Sequence, residues 1–209
     1  MNSPSVPAFF EDAPSLLMRD PLAALLGAAE GGIMRYGYVD TVRLAGHSCP
    51  TVAGAYLTVR RGLRVLYGDE IPERGNIEVH MRDARDHGTT GVVAAVATLL
   101  TGAAAETGFR GIGADGRFAR RNLLFFDASI DGLLALRLHD SGRGVQLDLD
   151  TSRVPADPEM ARLLPQVIAD LASTEQVQRF GALWQDRVRR MLIEHADDPL
   201  LVRAWEWVR

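Results

Sequence analysis

The chain has 209 residues, of which 47% are hydrophobic and 24% are charged, and its formal net charge is -4 at pH 7. This composition predicts a soluble globular protein, and the interspersed charges argue against a nucleic-acid-binding face. The sequence contains no lysine, which excludes lysine Schiff-base chemistry and the lysine-containing phosphate-binding loop.

The first residues and the longest apolar run indicate where the protein resides. Residues 1–15 lack the basic region and the long apolar core of a secretory signal. The apolar run from Gly91 to Ala105 is too short and too rich in Ala and Gly to span a membrane. The single cysteine cannot form an internal disulfide. We therefore expect a cytoplasmic protein without a membrane segment.

The first half of the chain predicts four helices and one strand. Two short helices are expected at Ala13 to Met18 and after the start signal Asp20-Pro21. A longer helix runs from Pro50 to about Tyr67, where apolar residues recur at helical spacing. A strand from Asn76 to Met81 and an apolar helix from about Thr89 to Ala103 follow.

Three strands are predicted next: Asn122 to Asp127, Gly132 to His139 and Gly144 to Asp150. Asp131-Gly132 and Ser141-Gly142 supply the turn residues between them. The core order is therefore α-β-α-β-β-β, which places the chain in the α+β class.

The residues after Pro155 are predicted to form a helical extension. Its second helix carries a stripe on one face, made of Val177, Phe180, Trp184, Val188, Met191 and His195. The stripe packs on the domain or on a second copy of the chain, and Trp205 and Trp207 suggest an interface. We expect a homodimer. The predicted divisions are an N-terminal helical segment at 1–35, a metal-binding domain at 36–152 and the C-terminal extension at 153–209.

The run from Gly46 to Pro50 holds the features most typical of a chemical site. Cys49 directly precedes the first-turn proline of the long helix, so it occupies the N-cap position. The unsatisfied N–H groups and the positive end of the helix dipole there favour a thiolate. His47 lies two residues upstream and can supply a nitrogen donor beside the sulfur. A lone cysteine is also commonly a small buried hydrophobic residue.

The same run resembles the opening motif of the FmdE family of formylmethanofuran dehydrogenase proteins. In that family a Gly-His-x-Cys-Pro element starts a helix, and its His and Cys bind a metal. The segments Gly116 to Phe125 and Leu99 to Gly102 are similar to later parts of the family pattern. The resemblance covers about Val39 to Leu149. It implies a mixed sheet with helices on one face and a metal held by His47 and Cys49.

The chain departs from the family pattern in ways that change the expected ligands. Ala45 stands where the family often has a histidine, and the chain has neither a second cysteine nor a cysteine-rich zinc ribbon. His87 lies roughly where the family's extra cysteine would fall, so it is the predicted third ligand. His80, Asp83 and Asp86 are further candidates, as ligands or as partners that orient an imidazole.

Two other histidines and a group of arginines complete the candidates. His139 and His195 are interpreted as structural. The Gly111 to Gly116 loop matches a dinucleotide-binding spacing, but it lacks the preceding strand and the following helix. It is therefore interpreted as a loop bordering the metal pocket, with arginines that hold a small anionic ligand or form a solvated face, namely Arg110, Arg117, Arg120 and Arg121.

These observations predict a metal-binding protein of the FmdE type with one open coordination position. Zinc is the default metal for Cys and His ligands, and nickel, iron or copper fit the same donors. One alternative is a metal-free reactive cysteine with a redox or nucleophilic role. Another is a non-catalytic accessory protein that docks through its C-terminal helices.

Overall fold

The structure is a computed structural model that describes residues 6–208. Its helices are α1 (Phe9–Asp12), α2 (Pro21–Leu25), α3 (Tyr38–Ala45), α4 (Pro50–Tyr67), α5 (Thr90–Thr101), α6 (Pro158–Ile168) and α7 (Thr174–Arg189). Its strands are β1 (Leu16–Arg19), β2 (Ile33–Tyr36), β3 (Ile77–Met81), β4 (Leu124–Phe125), β5 (Leu134–Leu138), β6 (Gly144–Leu149) and β7 (Val202–Glu206). None of the helices in this range combines the length and the apolar character that a membrane span requires.

The main sheet has the strand order β4-β3-β5-β6-β7. Strands β3 and β4 are parallel, whereas the other neighbours are antiparallel. This mixed sheet and the helices around it confirm the predicted α+β class. Ser141-Gly142 lies in the hairpin between β5 and β6, as predicted. Asp131-Gly132 does not join paired neighbours, because β4 and β5 lie on opposite sides of β3.

One face of the sheet, here called the inner face, packs against α4 and α5. Residues alternate between the two faces of a strand, and β3 accordingly directs the buried Ile77 and Val79 inward. Helix α4 approaches the sheet closely at two glycines. A Cβ at Gly54 would lie 2.4 Å from Leu149, and one at Gly62 would lie 2.7 Å from Leu136. The absence of side chains at these positions therefore sets the distance between helix and sheet.

The prediction of a wholly helical C-terminal extension is wrong for its last segment. Residues 202–206 form β7, which pairs with β6 and adds a fifth strand to the sheet. Val202 is buried while Arg203 and Trp205 are exposed, which is the alternation of a half-covered strand. Trp207 is buried within the chain. The homodimer stays a prediction.

The helix predicted from Ala13 to Met18 is also wrong. Residues 16–19 form β1, which pairs antiparallel with β2 in a separate two-stranded sheet. Leu16 and Met18 are buried while their neighbours are exposed, so the local period is two rather than 3.6. The helix after Asp20 is confirmed, since the Asp20 carboxylate caps α2 by accepting hydrogen bonds from the backbone at Leu22 and Ala23.

Both predicted C-terminal helices are confirmed as α6 and α7, and residues 190–194 continue α7 in a π-helical turn. The predicted apolar stripe is only partly covered. Val188 and Met191 are fully buried in the main core, whereas Val177 is 48% exposed. The second half of α7 therefore packs on the domain, and this contact positions side chains at the candidate site.

Candidate functional site

Cys49 begins α4 as the sequence predicts. Its backbone is extended, and its sulfur accepts a hydrogen bond from the Val52 N–H at 3.4 Å. Pro50 follows at the first helical position. A backbone N–H there would have no acceptor within the helix, so the proline loses no hydrogen bond. The Cys49 side chain is buried and lines the wall of a cavity. The thiol therefore lies at the positive end of an 18-residue helix.

Ser48 fastens this loop to helix α7. The Ser48 carbonyl accepts hydrogen bonds from the Trp184 indole and from the Gln185 side-chain amide, both at 3.1 Å. The Ser48 hydroxyl donates to Gln185 Oε1 at 3.0 Å and contacts the Tyr38 hydroxyl at 2.9 Å. The loop that carries Cys49 is therefore held against α7 by both the backbone and the side chain of Ser48.

The predicted ligands His47 and His87 do not converge on Cys49. The exposed His47 ring donates from Nδ1 to the Ala45 carbonyl at 3.0 Å. His87 is 72% exposed, and its Nδ1 lies 3.7 Å from Asp83 Oδ2. Within residues 6–208, no three His, Cys, Asp or Glu side chains form a group able to hold a metal ion. This arrangement does not fit the three-ligand centre, and metal binding stays a prediction.

The remaining candidate ligands lie elsewhere. His80 is on the sheet face opposite α4, where its Nε2 donates to Glu78 at 3.1 Å and its ring stacks on Phe125. Asp83 pairs with Arg82, whose hydrogen bond lowers the Asp83 pKa below its ordinary value. Asp86 is exposed.

The two histidines interpreted as structural both pair with carboxylates. His139 donates to Glu78 at 3.3 Å, and His195 donates to Asp198 at 3.0 Å.

The predicted anion-binding arginines have different surroundings. Arg120 is bound to Asp20, with Nη2 at 2.7 Å from the carboxylate, and it also donates to the Arg74 carbonyl. Arg117 lies over the ring of Phe118. Arg121 lines a shallow cavity beside Arg120, and Arg110 is exposed. The Arg120 guanidinium is therefore already engaged by a carboxylate of the chain itself.

The cavity beside Cys49, here called the Cys49 pocket, has a volume of about 480 Å³. Its walls come from the start of α4, the start of α5, strand β6 and helix α7. Apolar atoms line much of it, and its polar groups come from Cys49, Thr51, Arg82, Thr89, Asp148, Thr151 and Arg187. A volume of this size suits a small organic molecule.

Arg187 is the most informative residue of the pocket. The guanidinium donates to the carbonyls of Val154 and Thr151 at 2.7 and 3.0 Å. It has no carboxylate partner among the residues from 6 to 208, whereas Arg82 pairs with Asp83, and Asp148 pairs with Arg203. Burial, together with repulsion from Arg190, lowers the Arg187 pKa below its ordinary value. A half-buried positive charge therefore borders the pocket, and no carboxylate among the described residues is paired with it.

The sequence did not predict Arg82, Asp148 or Arg187 as site residues, because each reaches the pocket only through tertiary packing. One local signal was present. Trp184 and Arg187 are three residues apart on α7, so they share a helix face, and Trp184 belonged to the predicted apolar stripe. A charged residue beside that stripe indicates a helix that buries part of a guanidinium.

Comparisons with known proteins find only a distant likeness. No family model and no curated protein matches the chain. Among solved structures, a tungsten formylmethanofuran dehydrogenase FmdE-like protein from Syntrophus aciditrophicus is similar at 13% identity. The match covers 83% of this chain and 73% of that chain, with a TM-score of 0.43. This is a distant resemblance of fold alone.

Proposed function

We propose that the chain binds a small organic carboxylate in the Cys49 pocket. The observation that carries this proposal is the half-buried Arg187 guanidinium, which borders the pocket without a carboxylate partner among the described residues. A buried charge without a counter-charge is unfavourable, and a bound anion relieves that cost. Guanidinium groups match the planar geometry of carboxylates.

The start of α4 adds to the attraction for an anion. Cys49, Pro50 and Thr51 line the pocket at the N-terminal end of the helix. The partial positive charge of that end favours a negative group nearby. Arg82 also lines the pocket, although Asp83 compensates its charge.

The apolar walls indicate that the ligand has a hydrocarbon part. Val93, Leu133, Leu149 and Trp184 contribute to the lining. A ligand that places its carboxylate at Arg187 and its hydrocarbon against these side chains removes apolar surface from water while keeping its charge paired. Inorganic anions use only the first of these two interactions.

A second candidate function is thiol chemistry on the bound ligand, because Cys49 lines the same pocket. The Cys49 sulfur and the Arg187 guanidinium border one cavity, so a ligand anchored at Arg187 extends toward the start of α4. In this case the ligand has an electrophilic carbon that carries a leaving group: the Cys49 sulfur forms a bond to that carbon, the leaving group departs with its bonding electron pair, and the thiol proton goes to solvent. The carboxylate-binding proposal does not depend on this step.

The chain has a single cysteine, so alkylation of Cys49 can be measured without ambiguity. Iodoacetate and iodoacetamide react in the same way: the sulfur attacks the methylene carbon, iodide leaves and the thiol proton goes to solvent. Iodoacetate alone carries a carboxylate. We expect the ratio of the iodoacetate rate to the iodoacetamide rate to exceed that of free cysteine by about fivefold, which corresponds to roughly 1 kcal/mol of attraction.

Arg187→Gln should abolish this preference. Arg179→Gln is the matched control, because it removes the same charge from the same helix at an exposed pair with Glu159. An iodoacetate preference that survives Arg187→Gln, or that disappears equally in Arg179→Gln, would contradict the proposal. Protection of Cys49 by butyrate but not by butyramide tests the carboxylate directly in the unmodified chain.

Metal content distinguishes this proposal from the sequence-based prediction. Zinc held by His47, Cys49 and His87 predicts near-stoichiometric metal in untagged protein and its loss in Cys49→Ser. Because the described residues do not bring these donors together, we expect elemental analysis to find metal far below one equivalent. Stoichiometric metal that is lost in both Cys49→Ser and His87→Ala would establish the metal centre instead.

A further inference from the structure

A second cavity lies on the outer face of the sheet, which is the face directed away from α4. Its volume is about 630 Å³. Glu78 and His80 of β3, Phe125 of β4, Arg137 of β5 and Trp207 after β7 line it. We call it the outer-face pocket. The proposed function does not involve this cavity, although His80, a candidate ligand in the sequence, lines it.

Arg137 is held in the wall of this pocket by strand register and by a glycine. Arg137 lies directly opposite Glu78 on β3 and opposite Gly144 on β6. A Cβ at position 144 would lie 3.1 Å from Trp207. The missing side chain therefore makes room for the indole, and the guanidinium carbon of Arg137 lies 4.3 Å from the centre of the Trp207 ring. This is a cation–π contact on one face of the guanidinium.

The Arg137 guanidinium has donors for which the described residues provide no acceptor. Nε and Nη2 are buried, and neither has a hydrogen-bond partner among residues 6–208. Nη1 faces Glu78 at 4.0 Å. Buried donors without acceptors are rare and unfavourable in folded proteins. Nε–H and Nη2–H point in parallel along one edge of a guanidinium, and a carboxylate binds this edge through both of its oxygens.

Glu78 does not satisfy this edge, because its Oε2 faces Nη1 at 4.0 Å rather than Nε and Nη2, and its oxygens accept from two histidines. His80 donates to Oε2 at 3.1 Å and His139 contacts Oε1 at 3.3 Å. Burial alone would raise the Glu78 pKa, but the hydrogen bonds from the two histidines and the charge of Arg137 lower it below the ordinary value. Glu78 is therefore engaged by the two imidazoles, and none of residues 6–208 supplies an acceptor to Nε and Nη2 of Arg137.

The other walls of the pocket are aromatic. The His80 ring stacks on Phe125 at 4.6 Å with an interplanar angle of 19°, and it meets the Trp207 ring edge-on at 4.8 Å. Phe125 is 37% exposed, so one side of this stack is accessible. Planar rings gain most from such surfaces by stacking or by edge-to-face contact.

We propose that the outer-face pocket binds an aromatic carboxylate, with its two oxygens on Nε and Nη2 of Arg137 and its ring against Phe125 and Trp207. The two donors are buried and the Trp207 indole lies against the guanidinium, so a carboxylate that reaches them shifts the indole. Glu78 faces Arg137, so the pocket has no excess of positive charge from this pair. The carboxylate is instead selected by the two parallel donors on the guanidinium edge.

The tryptophans allow this site to be observed separately from the Cys49 pocket. Trp207 lines the outer-face pocket, whereas Trp184 lines the Cys49 pocket. Titration of the full chain with benzoate, followed by the indole N–H signals in nuclear magnetic resonance, should shift Trp207 saturably. Benzamide has the same shape without the charge, and acetate has the carboxylate without the ring. We expect each to bind about tenfold more weakly than benzoate.

The matched variants are Arg137→Met, which keeps the packing on Trp207 but removes the donors, and Arg179→Gln as an exposed control. We expect Arg137→Met to weaken benzoate about tenfold without changing benzamide, and Arg179→Gln and Arg187→Gln to have no effect on the Trp207 signal. Equal affinity for benzoate and benzamide, or no shift of Trp207, would overturn the proposal. The comparison of benzoate with benzamide uses the unmodified chain, so it tests the proposal even if Arg137→Met does not fold.

Discussion

Two regions of the molecule bury arginine side chains in different ways. In the Asp20 cluster, Arg74 and Arg120 both donate to the carboxylate of Asp20, at 3.0 and 2.7 Å. In the Cys49 pocket, Arg187 donates only to backbone carbonyls among the described residues. The first arrangement neutralises the charge and joins parts of the chain. In the second, no described carboxylate is paired with the charge, and the proposed ligand site depends on this feature.

The Asp20 cluster connects three distant segments of the chain. Asp20 caps α2, Arg74 precedes β3 and also donates to the Leu100 carbonyl of α5, and Arg120 precedes β4. Gly75 has a φ of 87°, and a Cβ there would lie 1.4 Å from Nη1 of Arg120. Only glycine therefore leaves space for the Arg120 guanidinium to reach Asp20.

Among the substitutions that test this comparison, removal of the Asp20 carboxylate should change stability most. We expect Asp20→Asn to lower the free energy of unfolding by about 3 kcal/mol or more, because two largely buried guanidinium groups lose their counter-charge while the asparagine still caps α2. Urea unfolding followed by circular dichroism measures the change. Asp115→Asn, in an exposed loop, is the matched control, and an equal effect of the two substitutions would contradict this role for Asp20.

The same carboxylate should make stability depend on pH. Burial alone would raise the Asp20 pKa, but the hydrogen bond from Arg74 and the charge of Arg120 outweigh it, so the folded-state pKa lies below the ordinary 3.8. Its stabilising effect is therefore complete above the unfolded-state pKa and is lost as the pH falls through the folded-state pKa. Unfolding measured from about pH 6 to about pH 3 should show a smaller loss in Asp20→Asn than in the unmodified chain.

Ser48→Ala should have a smaller effect. It removes the hydroxyl that bonds to Gln185 and leaves the buried hydroxyl of Tyr38 without this contact, which costs about 1 to 2 kcal/mol. The hydrogen bonds from the Trp184 and Gln185 side chains to the carbonyl of residue 48 remain. Thermal unfolding provides the measurement. If Ser173→Ala, which removes the cap of α7, shifts the melting temperature while Ser48→Ala does not, Ser48 does not fasten the loop.

Arg187→Gln should change stability least, by about 1 kcal/mol or less, because the lost bonds to carbonyls are offset by removal of an uncompensated charge. The same urea titration applies. A loss as large as that in Asp20→Asn would show that the Arg187 charge stabilises the fold, and the contrast between the two regions would then fail.

The parts of the fold that the sequence predicted depend on local signals. The first-turn Pro50 and the sulfur of Cys49 mark the start of α4, and the structure has the cap there. The alternating apolar residues of β3, β5 and β6 were also sufficient. Strand β7 was missed although residues 202–207 alternate in the same way, because only pairing with β6 establishes so short a strand.

The candidate site was less accessible from the sequence. The wall containing Cys49 was predicted, but Arg187 joins it through the packing of α7, which no local pattern specifies. His47 and His87 were selected for their spacing and for a family resemblance. In the structure, His47 bonds to the nearby Ala45 carbonyl, and His87 lies beside Asp83. Residue type and spacing indicate which groups are suitable, whereas convergence depends on tertiary contacts.

The hydrogen bonds at Ser48 have a consequence for motion. The carbonyl of Ser48 holds the side chains of Trp184 and Gln185, so the segment that presents the thiol and the helix that presents the guanidinium separate only when these bonds break together. Amide hydrogen exchange should therefore report a common opening free energy for the first turn of α4 and the middle of α7. The rate at which a ligand passes through that opening would then equal the rate of one concerted local unfolding event. Independent motions of the Cys49 loop and of α7 would not be sufficient.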